Sequence, residues 1–369
     1  MHPMIKPALR RAWRDRQTVQ YGVAPAHAVL LGPVDNTTAG FMELMDGTRS
    51  LVQLRDEAAR LGLPPGTADR LVDRLASAGV LDDSTADRQA AASVSDRLRP
   101  DLGSLSVVHR EPGGGLRRLA ARRDMCVQVR GAGRVGSLVA STLSAAGVGE
   151  VQVADGGHVE PWDTIPGGIP ADDCGERRDA AARRAVGRAR SWRSSSRSGS
   201  RGPVRLVVFA PRDGLDAYAP DPAASEGFVQ AGTPHLYGGV VESTGVVGPL
   251  VLPGVSPCAG CLLRGRAERE PSWPLVVGQW RTSGRRRSGI PACDSALATM
   301  VAGAIASCAL SFLDGDGACA AGYRMRFALP YLMGDTEQFS PHPECPCGAA
   351  SVTADRPVSA GVSEEVTMA

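Results

Sequence analysis

Residues 127–147 read VQVRGAGRVGSLVASTLSAAG, and this stretch decides the fold of the larger part of the chain. The apolar residues before the glycines predict a buried strand, and the pattern after them predicts a helix. Between the two, Gly131, Gly133 and Gly136 have the spacing G-x-G-x-x-G. In this strand–turn–helix context the glycines permit a tight turn, a close approach of phosphate to the backbone, and close packing of helix on strand. A nucleotide-binding unit is predicted, with tight packing without a ligand as the alternative.

Strands and helices alternate downstream of this loop, which is typical of a βαβ build. The expected strands are Met125–Arg130, Glu150–Ala154 and Arg205–Ala210, and the expected helices are Val135–Ala146 and Asp179–Ala189. The third strand contains the continuous apolar run LVVF, as in a buried parallel sheet. The fold class is therefore α/β with a Rossmann-like sheet.

Asp155 follows the second strand, 19 residues after Gly136. A carboxylate at this position can accept hydrogen bonds from the ribose hydroxyls of a nucleotide. The glycine loop and this acid suit NAD as well as ATP, so the identity of the nucleotide depends on other residues.

Four cysteines form two close pairs, Cys258 with Cys261 and Cys345 with Cys347. Four thiolates in two pairs suit a tetrahedral, structural Zn²⁺ site. Because C-x-C is an unusual pair, His342 is an alternative fourth ligand. Buried thiols and a redox C-x-x-C are the other interpretations.

Cys293 lies at the expected start of a long helix, Ser295–Leu313. A thiol at a helix N-terminus can have a lowered pKa and be nucleophilic. The alternative is a small packed or capping residue, and this alternative is favoured.

Residues 1–83 have the outline of a small winged-helix domain. Thr67–Ala78 carries an amphipathic stripe followed by Gly79, where a capping glycine belongs. Residues 84–114 are polar, end in three glycines and predict a linker, residues 115–350 form the nucleotide-binding domain, and 351–369 are expected to be a disordered tail. The Arg- and Ser-rich stretch Arg183–Arg205 is interpreted as a solvated insert, since no aromatic platform for nucleic acid accompanies it.

The composition excludes several function classes. A net charge of +2 argues against a general polyanion binder, and residues 1–100 hold 13 basic and 12 acidic side chains, unlike a DNA reader. No uninterrupted apolar run reaches the ~18 residues that span a bilayer, and the N-terminus lacks a secretory pattern. We expect a cytoplasmic protein that binds neither nucleic acid nor membrane, in which cysteines are thiols or metal ligands. The only lysine is Lys6, so arginine must carry most cationic chemistry.

The ordered combination of these features resembles the ThiF/MoeB/ubiquitin-activating superfamily. The combination is the glycine loop, the acid after the next strand, VVFAPRD ending at Asp213, GTPHLYGGV, and the two cysteine pairs. The resemblance implies binding of ATP with Mg²⁺, adenylation of a peptide or small-protein carboxylate, and dimerisation.

The resemblance also implies roles for individual residues. The three glycines would cradle phosphates, Asp155 would hold the ribose, and Asp213 would lie at Mg²⁺ and the reacting phosphate. Arg178 matches a phosphate-contacting lysine of the family's G-K-x-K segment.

Two departures from the family pattern concern phosphate contacts. The family's S-N-x-x-R-Q segment is replaced by PWDTIPGG at residues 161–168, so an arginine that would contact the triphosphate is missing. Arg134 replaces a loop glycine and could itself reach a phosphate.

The N-terminal region resembles a PqqD-like domain that recognises leader peptides of modified peptides. The supporting segments are Pro7–Leu9, Ala28–Leu31, Leu44–Arg49 and Ala78–Leu81. Such a domain adds an extended peptide to a strand edge.

Three functions follow from these features, in order. The first is an ATP-dependent adenylating enzyme of modified-peptide biosynthesis. The second is a non-catalytic scaffold of the same fold that presents a peptide to a partner modification enzyme. The third is an NAD(P)-dependent oxidoreductase, which the glycine loop favours and the paired cysteines do not.

Overall fold

The computed structural model describes residues 1–85, 94–192, 202–283, 289–317 and 319–354. Parts of three predicted segments lie outside these residues: 86–93 of the linker, 193–201 of the Arg- and Ser-rich stretch, and the tail beyond residue 354.

The chain contains both helices and strands throughout its described length. The strands are β1 Pro3–Ile5, β2 Arg11–Trp13, β3 Val19–Tyr21, β4 Val29–Leu31, β5 Leu81–Asp83, β6 Cys126–Arg130, β7 Glu150–Ala154, β8 Val204–Phe209, β9 His235–Val241, β10 Thr244–Val251, β11 Tyr323–Ala328 and β12 Met333–Gln338. The helices are α1 Asn36–Glu43, α2 Leu51–Arg60, α3 Thr67–Ser77, α4 Arg99–Val108, α5 Gly114–Arg122, α6 Arg134–Ala145, α7 Arg178–Ala189, α8 Leu215–Tyr218, α9 Pro222–Gln230, α10 Ala259–Arg269, α11 Trp273–Ser283, α12 Ser295–Asp314 and α13 Ala349–Ala354.

The chain folds into two compact units. The first comprises Met1–Met125, Ser144–Glu150 and Arg190–Ser200, and the second comprises Cys126–Leu143, Val151–Ala189 and Arg201–Ala369.

The N-terminal part of the first unit has two small sheets beside three helices. β2, β3 and β4 form an antiparallel sheet, and β1 pairs antiparallel with β5. Polar side chains at the N-termini of α1 and α2 cap these helices. Asp35 accepts from the Thr38 N–H, and Ser50 and Gln53 form a capping box. Residues 1–83 thus contain two short antiparallel sheets and three helices, while the small winged-helix domain and its peptide-recognition role stay predictions.

Lys6 anchors the segment that follows this domain. Its fully buried Nζ donates to the carbonyls of Ser106, His109 and Arg110, over 2.6, 3.0 and 3.3 Å. The predicted linker therefore contains an ordered part, α4, whose end is tied to the residue that follows β1. The single lysine has a structural task, because three carbonyls occupy its three donors.

The second unit is built on a seven-stranded sheet with the order β12-β11-β10-β9-β8-β6-β7. β6, β8 and β9 are parallel neighbours, as predicted for a Rossmann-like sheet. On its other side β9 pairs antiparallel with β10, and β11 and β12 continue the sheet with antiparallel pairing. The sequence pattern did not predict this antiparallel part. The mixed α/β fold class is confirmed.

Helix α12 covers the sheet. It is long and apolar enough to cross a membrane by composition, with a mean hydropathy of 2.0, yet half of that stretch is buried. A Cβ added to Gly238 would lie 2.3 Å from Ile305, and one added to Gly245 would lie 2.3 Å from Val301. Glycines in β9 and β10 therefore let the helix approach closely, as a core helix does.

Candidate functional site

The glycine loop lies between β6 and α6. Gly131 has φ +106°, and a Cβ there would lie 2.0 Å from the Ala210 carbonyl oxygen. A Cβ at Gly136 would lie 2.2 Å from the Gly131 oxygen. Only glycine fits these two positions, since no L side chain tolerates such distances. At Gly133 the nearest atoms are the Arg212 Cγ at 3.1 Å and its Cα at 3.3 Å, so a Cβ there is crowded but not excluded.

Asp155 is held at the end of β7 by three donors. Its carboxylate accepts from the backbone N–H of Ala132 at 2.8 Å, from that of Gly157 at 2.9 Å, and from Arg178 Nε at 2.9 Å. Burial opposes the charge, but these hydrogen bonds outweigh it and hold the pKa of Asp155 below its usual value. The predicted ribose acid is thus ionised and tied to the glycine loop.

Arg178, at the start of α7, joins two carboxylates. Besides Asp155, its Nη1 donates to Asp163 over 3.1 Å and to the His158 carbonyl over 3.0 Å. The Arg178 side chain is 12% exposed, and a Cβ at Gly157 would collide with it at 1.8 Å. Glycine at position 157 therefore leaves the space that the Arg178 guanidinium occupies.

Asp163 is the centre of a network that the sequence pattern did not reveal. Its side chain is 2% exposed and accepts from Arg178 on one oxygen and from Arg212 Nε, at 2.5 Å, on the other. Arg212 also pairs with Glu160. Asp163 lies within the PWDTIPGG segment that replaces the family's S-N-x-x-R-Q. An acid in this divergent segment was the sequence signal that could have identified it.

A small cleft opens beside the glycine loop. Arg134 and Arg212 both line it, together with Asp163. Arg134 donates from Nε to the Trp162 carbonyl at 2.8 Å and from Nη1 to the Cys293 carbonyl at 3.0 Å. The cleft can accept a negatively charged group.

Cys293 also lines this cleft, just before α12. Burial raises the pKa of its thiol to about 11. The thiol is therefore protonated near neutral pH, which favours the packed-residue interpretation over a nucleophile.

Asp213 follows β8 and is exposed. Its carboxylate accepts from the Leu215 N–H at 3.1 Å across a turn at Gly214, where φ is +74°. A Cβ at Gly214 would lie 1.9 Å from the Val240 carbonyl oxygen, so the turn is fixed by close backbone packing. The exposed side of the Asp213 carboxylate can receive a ligand.

The four predicted cysteines come together. Their Sγ atoms lie within 4.8 Å of one another, with separations of 3.9 Å for Cys258–Cys261, 3.6 Å for Cys258–Cys345 and 3.5 Å for Cys261–Cys347. Zn–S bonds of about 2.3 Å in a tetrahedron require S···S separations of about 3.8 Å. The donor set and its spacing fit zinc.

His342 is directed away from this cluster. Its Nε2 contacts Glu268 at 2.9 Å, and its Nδ1 accepts from the Glu344 N–H at 3.1 Å. Cys347 occupies the fourth corner instead. The alternative ligand set with His342 is therefore not the one that the fold assembles.

Known proteins share both the sequence pattern and the fold of this chain. The sequence model of the ThiF family matches residues 112–347. No curated protein matches the chain in sequence.

Three solved structures illustrate the likeness of fold. The structure of E. coli MccB with ATP has a TM-score of 0.68 at 14% identity, covering 94% of this chain and 99% of that one. The microcin C7 biosynthetic enzyme MccB in complex with N-formylated MccA has a TM-score of 0.67 at 14% identity, covering 94% and 100%. The heterocyclase TruD has a TM-score of 0.58 at 18% identity, and this chain spans 43% of its length.

Proposed function

The chain belongs to the ThiF family, and from this premise we propose that it is an ATP-dependent enzyme that adenylates the carboxylate of a peptide or small protein in modified-peptide biosynthesis. In this reaction a substrate carboxylate oxygen bonds to the α-phosphorus of ATP, and the bond to the β-phosphate breaks to release pyrophosphate. A carboxylate needs no general base, so positioning and charge stabilisation carry the chemistry.

The observation that carries this proposal is the coupling of Asp155 to the glycine loop. The Ala132 N–H that bonds the Asp155 carboxylate belongs to the loop itself, so the proposed ribose and phosphate sites are joined by a direct hydrogen bond. Helix α6 begins directly after the loop, and its first N–H groups favour an anion. MccB, similar over nearly its whole length, has been crystallised with ATP.

Individual residues have proposed roles in this site. Gly131, Gly133 and Gly136 shape the phosphate cradle, with Arg134 beside it, and Asp155 accepts the ribose hydroxyls. Three charged groups complete the site: Asp213 as the Mg²⁺ ligand, Arg178 as the phosphate-contacting cation, and Arg212 as the replacement for the missing arginine.

Arg178 has a second possible role beside phosphate contact. In the described structure its Nε and Nη1 donate to Asp155, Asp163 and the His158 carbonyl. Through these contacts Arg178 could act by positioning Asp155 alone. A lysine at position 178 would restore phosphate contact and the positioning of Asp155 to different extents.

The cysteine cluster holds structural zinc in this proposal. It consists of Cys258, Cys261, Cys345 and Cys347, so the metal joins the start of α10 to the loop that follows β12. Four protein ligands leave no open position for catalysis.

The N-terminal domain is proposed to recognise the peptide. β4 is an edge of the sheet β2-β3-β4, and an extended peptide can pair with the backbone N–H and C=O groups of such an edge. Leu30 in this strand is 47% exposed, so an apolar side chain is available beside the backbone. We further propose a cytoplasmic protein that forms a homodimer and passes its product to a partner modification enzyme.

One observation favours the scaffold as a second candidate. The charged groups of the site already pair with one another, three acids with two arginines: Asp155, Asp163 and Glu160 with Arg178 and Arg212. A scaffold would need this network only for stability. An active enzyme would need to open part of it for ATP.

Pyrophosphate exchange decides between enzyme and scaffold. A peptide that binds the full chain is first identified by fluorescence polarisation and must lose binding when β4 is blocked by Leu30→Pro. Exchange of labelled pyrophosphate into ATP with that peptide is the expected result. With the peptide bound and ATP bound, a lack of exchange contradicts the enzyme and leaves the scaffold.

A further inference from the structure

A second, small cavity lies among α8, α10, α11, β11 and β12. Its lining combines an apolar part with four arginines and one acid, Glu337. The apolar and aromatic lining comprises Tyr218, Leu262, Leu263, Trp273, Val277 and Phe339, and the arginines are Arg266, Arg269, Arg281 and Arg324. None of these residues belongs to the glycine loop or the zinc cluster.

Arg324, in β11, is a buried cation with little compensation. Its side chain is 3% exposed and is stacked with Tyr218 and Phe339, whose ring centroids lie 5.1 and 5.0 Å from Cζ. Its acidic partner is Glu337, 3.5 Å from Nη1, and its Nε has no hydrogen-bond partner among the described residues. Burial lowers the pKa of Arg324 to about 10, so an anion beside it would be stabilising.

Glu337 cannot neutralise Arg324 alone, because it is shared. Its Oε2 also lies 3.4 Å from Arg326, and its Oε1 lies 3.9 Å from Arg266. Arg326 has a close partner of its own in Asp335, at 2.8 and 3.0 Å, and Arg266 has Glu270 at 3.0 Å. Within the part of the chain that the structure describes, Arg324 has no comparable second acid.

A second unpartnered guanidinium N–H lines the same cavity. Arg281 donates from Nη2 to the Ala219 carbonyl at 2.8 Å and lies 3.5 Å from Asp216 and 3.8 Å from Asp221. Its buried Nε lacks a partner among the described residues. The buried unsatisfied atoms of the described chain include two guanidinium Nε atoms, and both belong to arginines of this cavity. Buried N–H groups without a partner are costly, so two in one cavity point to an acceptor that binds there.

We propose that this cavity is a binding site for an oxyanion, a phosphate or carboxylate, carried on a compact apolar or aromatic body. Arg324 and Arg281 donate to the oxyanion, because guanidinium groups match such groups in geometry and charge. Leu262, Leu263 and Val277 contact the apolar body. The site is separate from the proposed nucleotide site and does not depend on the proposed adenylation.

Isothermal titration calorimetry of the full chain tests this site with four probes. Phenyl phosphate and benzoate present the two oxyanions on an aromatic ring, inorganic phosphate lacks the ring, and phenol lacks the charge. We expect saturable binding of phenyl phosphate or benzoate, weaker binding of inorganic phosphate, and none of phenol. Whichever oxyanion binds more tightly identifies the ligand as a phosphate or a carboxylate.

Variants locate the binding. Arg324→Gln and Arg281→Gln each remove a charge-assisted donor, and we expect affinity to fall by roughly tenfold or more. Arg205→Gln is the control, since it removes an exposed arginine of β8 that does not line the cavity. Gly133→Val controls for probes that enter the glycine loop. Both controls should stay within about twofold of the unmodified chain.

Three outcomes would overturn the proposal. The first is no saturable binding of either ring-bearing oxyanion by the folded chain. The second is binding that is unchanged in both Arg324→Gln and Arg281→Gln, and the third is binding lost in Gly133→Val. If Arg324→Gln does not fold, the probe affinities of Arg281→Gln and Arg269→Gln test the proposal, because both side chains reach the surface. If the unmodified chain binds no probe and Arg324→Gln has a lower melting temperature, the cation–π contacts of Arg324 serve only to stabilise the fold.

Discussion

The Nε atom of Arg178 donates to Oδ1 of Asp155 over 2.9 Å, so the predicted phosphate cation and the predicted ribose acid are bound to each other. Their side chains are 12% and 9% exposed. Removing one partner of such a pair leaves an uncompensated buried charge. The pair thus links nucleotide binding to the stability of the fold.

The first prediction concerns Arg178. Arg178→Ala should destabilise the fold by about 3 kcal/mol, since Asp155 and Asp163 lose their shared partner. Arg178→Lys should recover part of the stability, and urea denaturation measures both. The control is Arg177→Ala, whose side chain is 61% exposed and which should cost less than about 1 kcal/mol. Equal losses for the two alanine variants would contradict a structural role of the pair.

Activity separates the two roles of Arg178. If it contacts phosphate, Arg178→Ala loses affinity for ATP even where the variant is fully folded, and Arg178→Lys regains part of that affinity. If it only positions Asp155, affinity follows the stability of the variants and no separate effect on pyrophosphate exchange is seen.

The second prediction concerns the glycine loop. Gly133→Val should keep the fold, because the nearest atom is a side-chain carbon of Arg212, and should abolish ATP binding by blocking the phosphate approach. Gly131→Ala should instead fail to fold normally, since its Cβ would meet the Ala210 carbonyl. Titrations with ATP and NAD, side by side, measure the effect. Binding of NAD without ATP would contradict the proposed function while leaving the fold intact.

The third prediction concerns the cysteine cluster. Purified protein should contain close to one zinc per chain by atomic emission. Cys258→Ser should lose the metal and much of the stability, because structural zinc contributes roughly 10–16 kcal/mol of apparent binding energy in small fingers. Cys174→Ser, at an exposed thiol, is the control and should change neither. A metal-free protein whose melting temperature does not respond to chelators would disprove the zinc site.

The fourth prediction concerns Asp213. Asp213→Ala should abolish pyrophosphate exchange and leave ATP binding measurable, because losing a metal ligand harms the charged transition state more than the ground state. Asp216→Ala, three residues further along the chain in α8, is the control and should retain exchange. Exchange that survives in Asp213→Ala would remove Asp213 from the mechanism.

The fifth prediction concerns acid pH. The pKa of Asp155 is lower in the folded chain than the unfolded value of about 3.9, so its contribution is complete above that pH and is lost as pH falls through the folded pKa. Asp155→Asn should therefore be less stable near neutral pH, and its disadvantage should shrink below about pH 4. Denaturation curves between pH 3 and 7 measure this. A difference that is independent of pH would contradict the assignment.

Much of this protein follows from local sequence. The strand Glu150–Ala154 is predicted at its observed bounds, and the other central strands and helices within a residue or two, because periodicity and capping residues act over short distances. Close pairs of cysteines, likewise, predict the cluster that the fold assembles.

Other features were decided only by the tertiary structure. Strands β9 to β12 continue the sheet, and Gly238 and Gly245 let α12 approach it, a requirement that appears only when helix and strand meet. Asp163 and Arg212 are 49 residues apart and lie outside α-helices and strands, so no periodic pattern connects them. The sequence determined the helices, the strands and the residue types that can hold a nucleotide or a metal, since these depend on residues that are close together along the chain. Folding decided which buried charges meet, because an ion pair depends on distances that only the packed chain fixes.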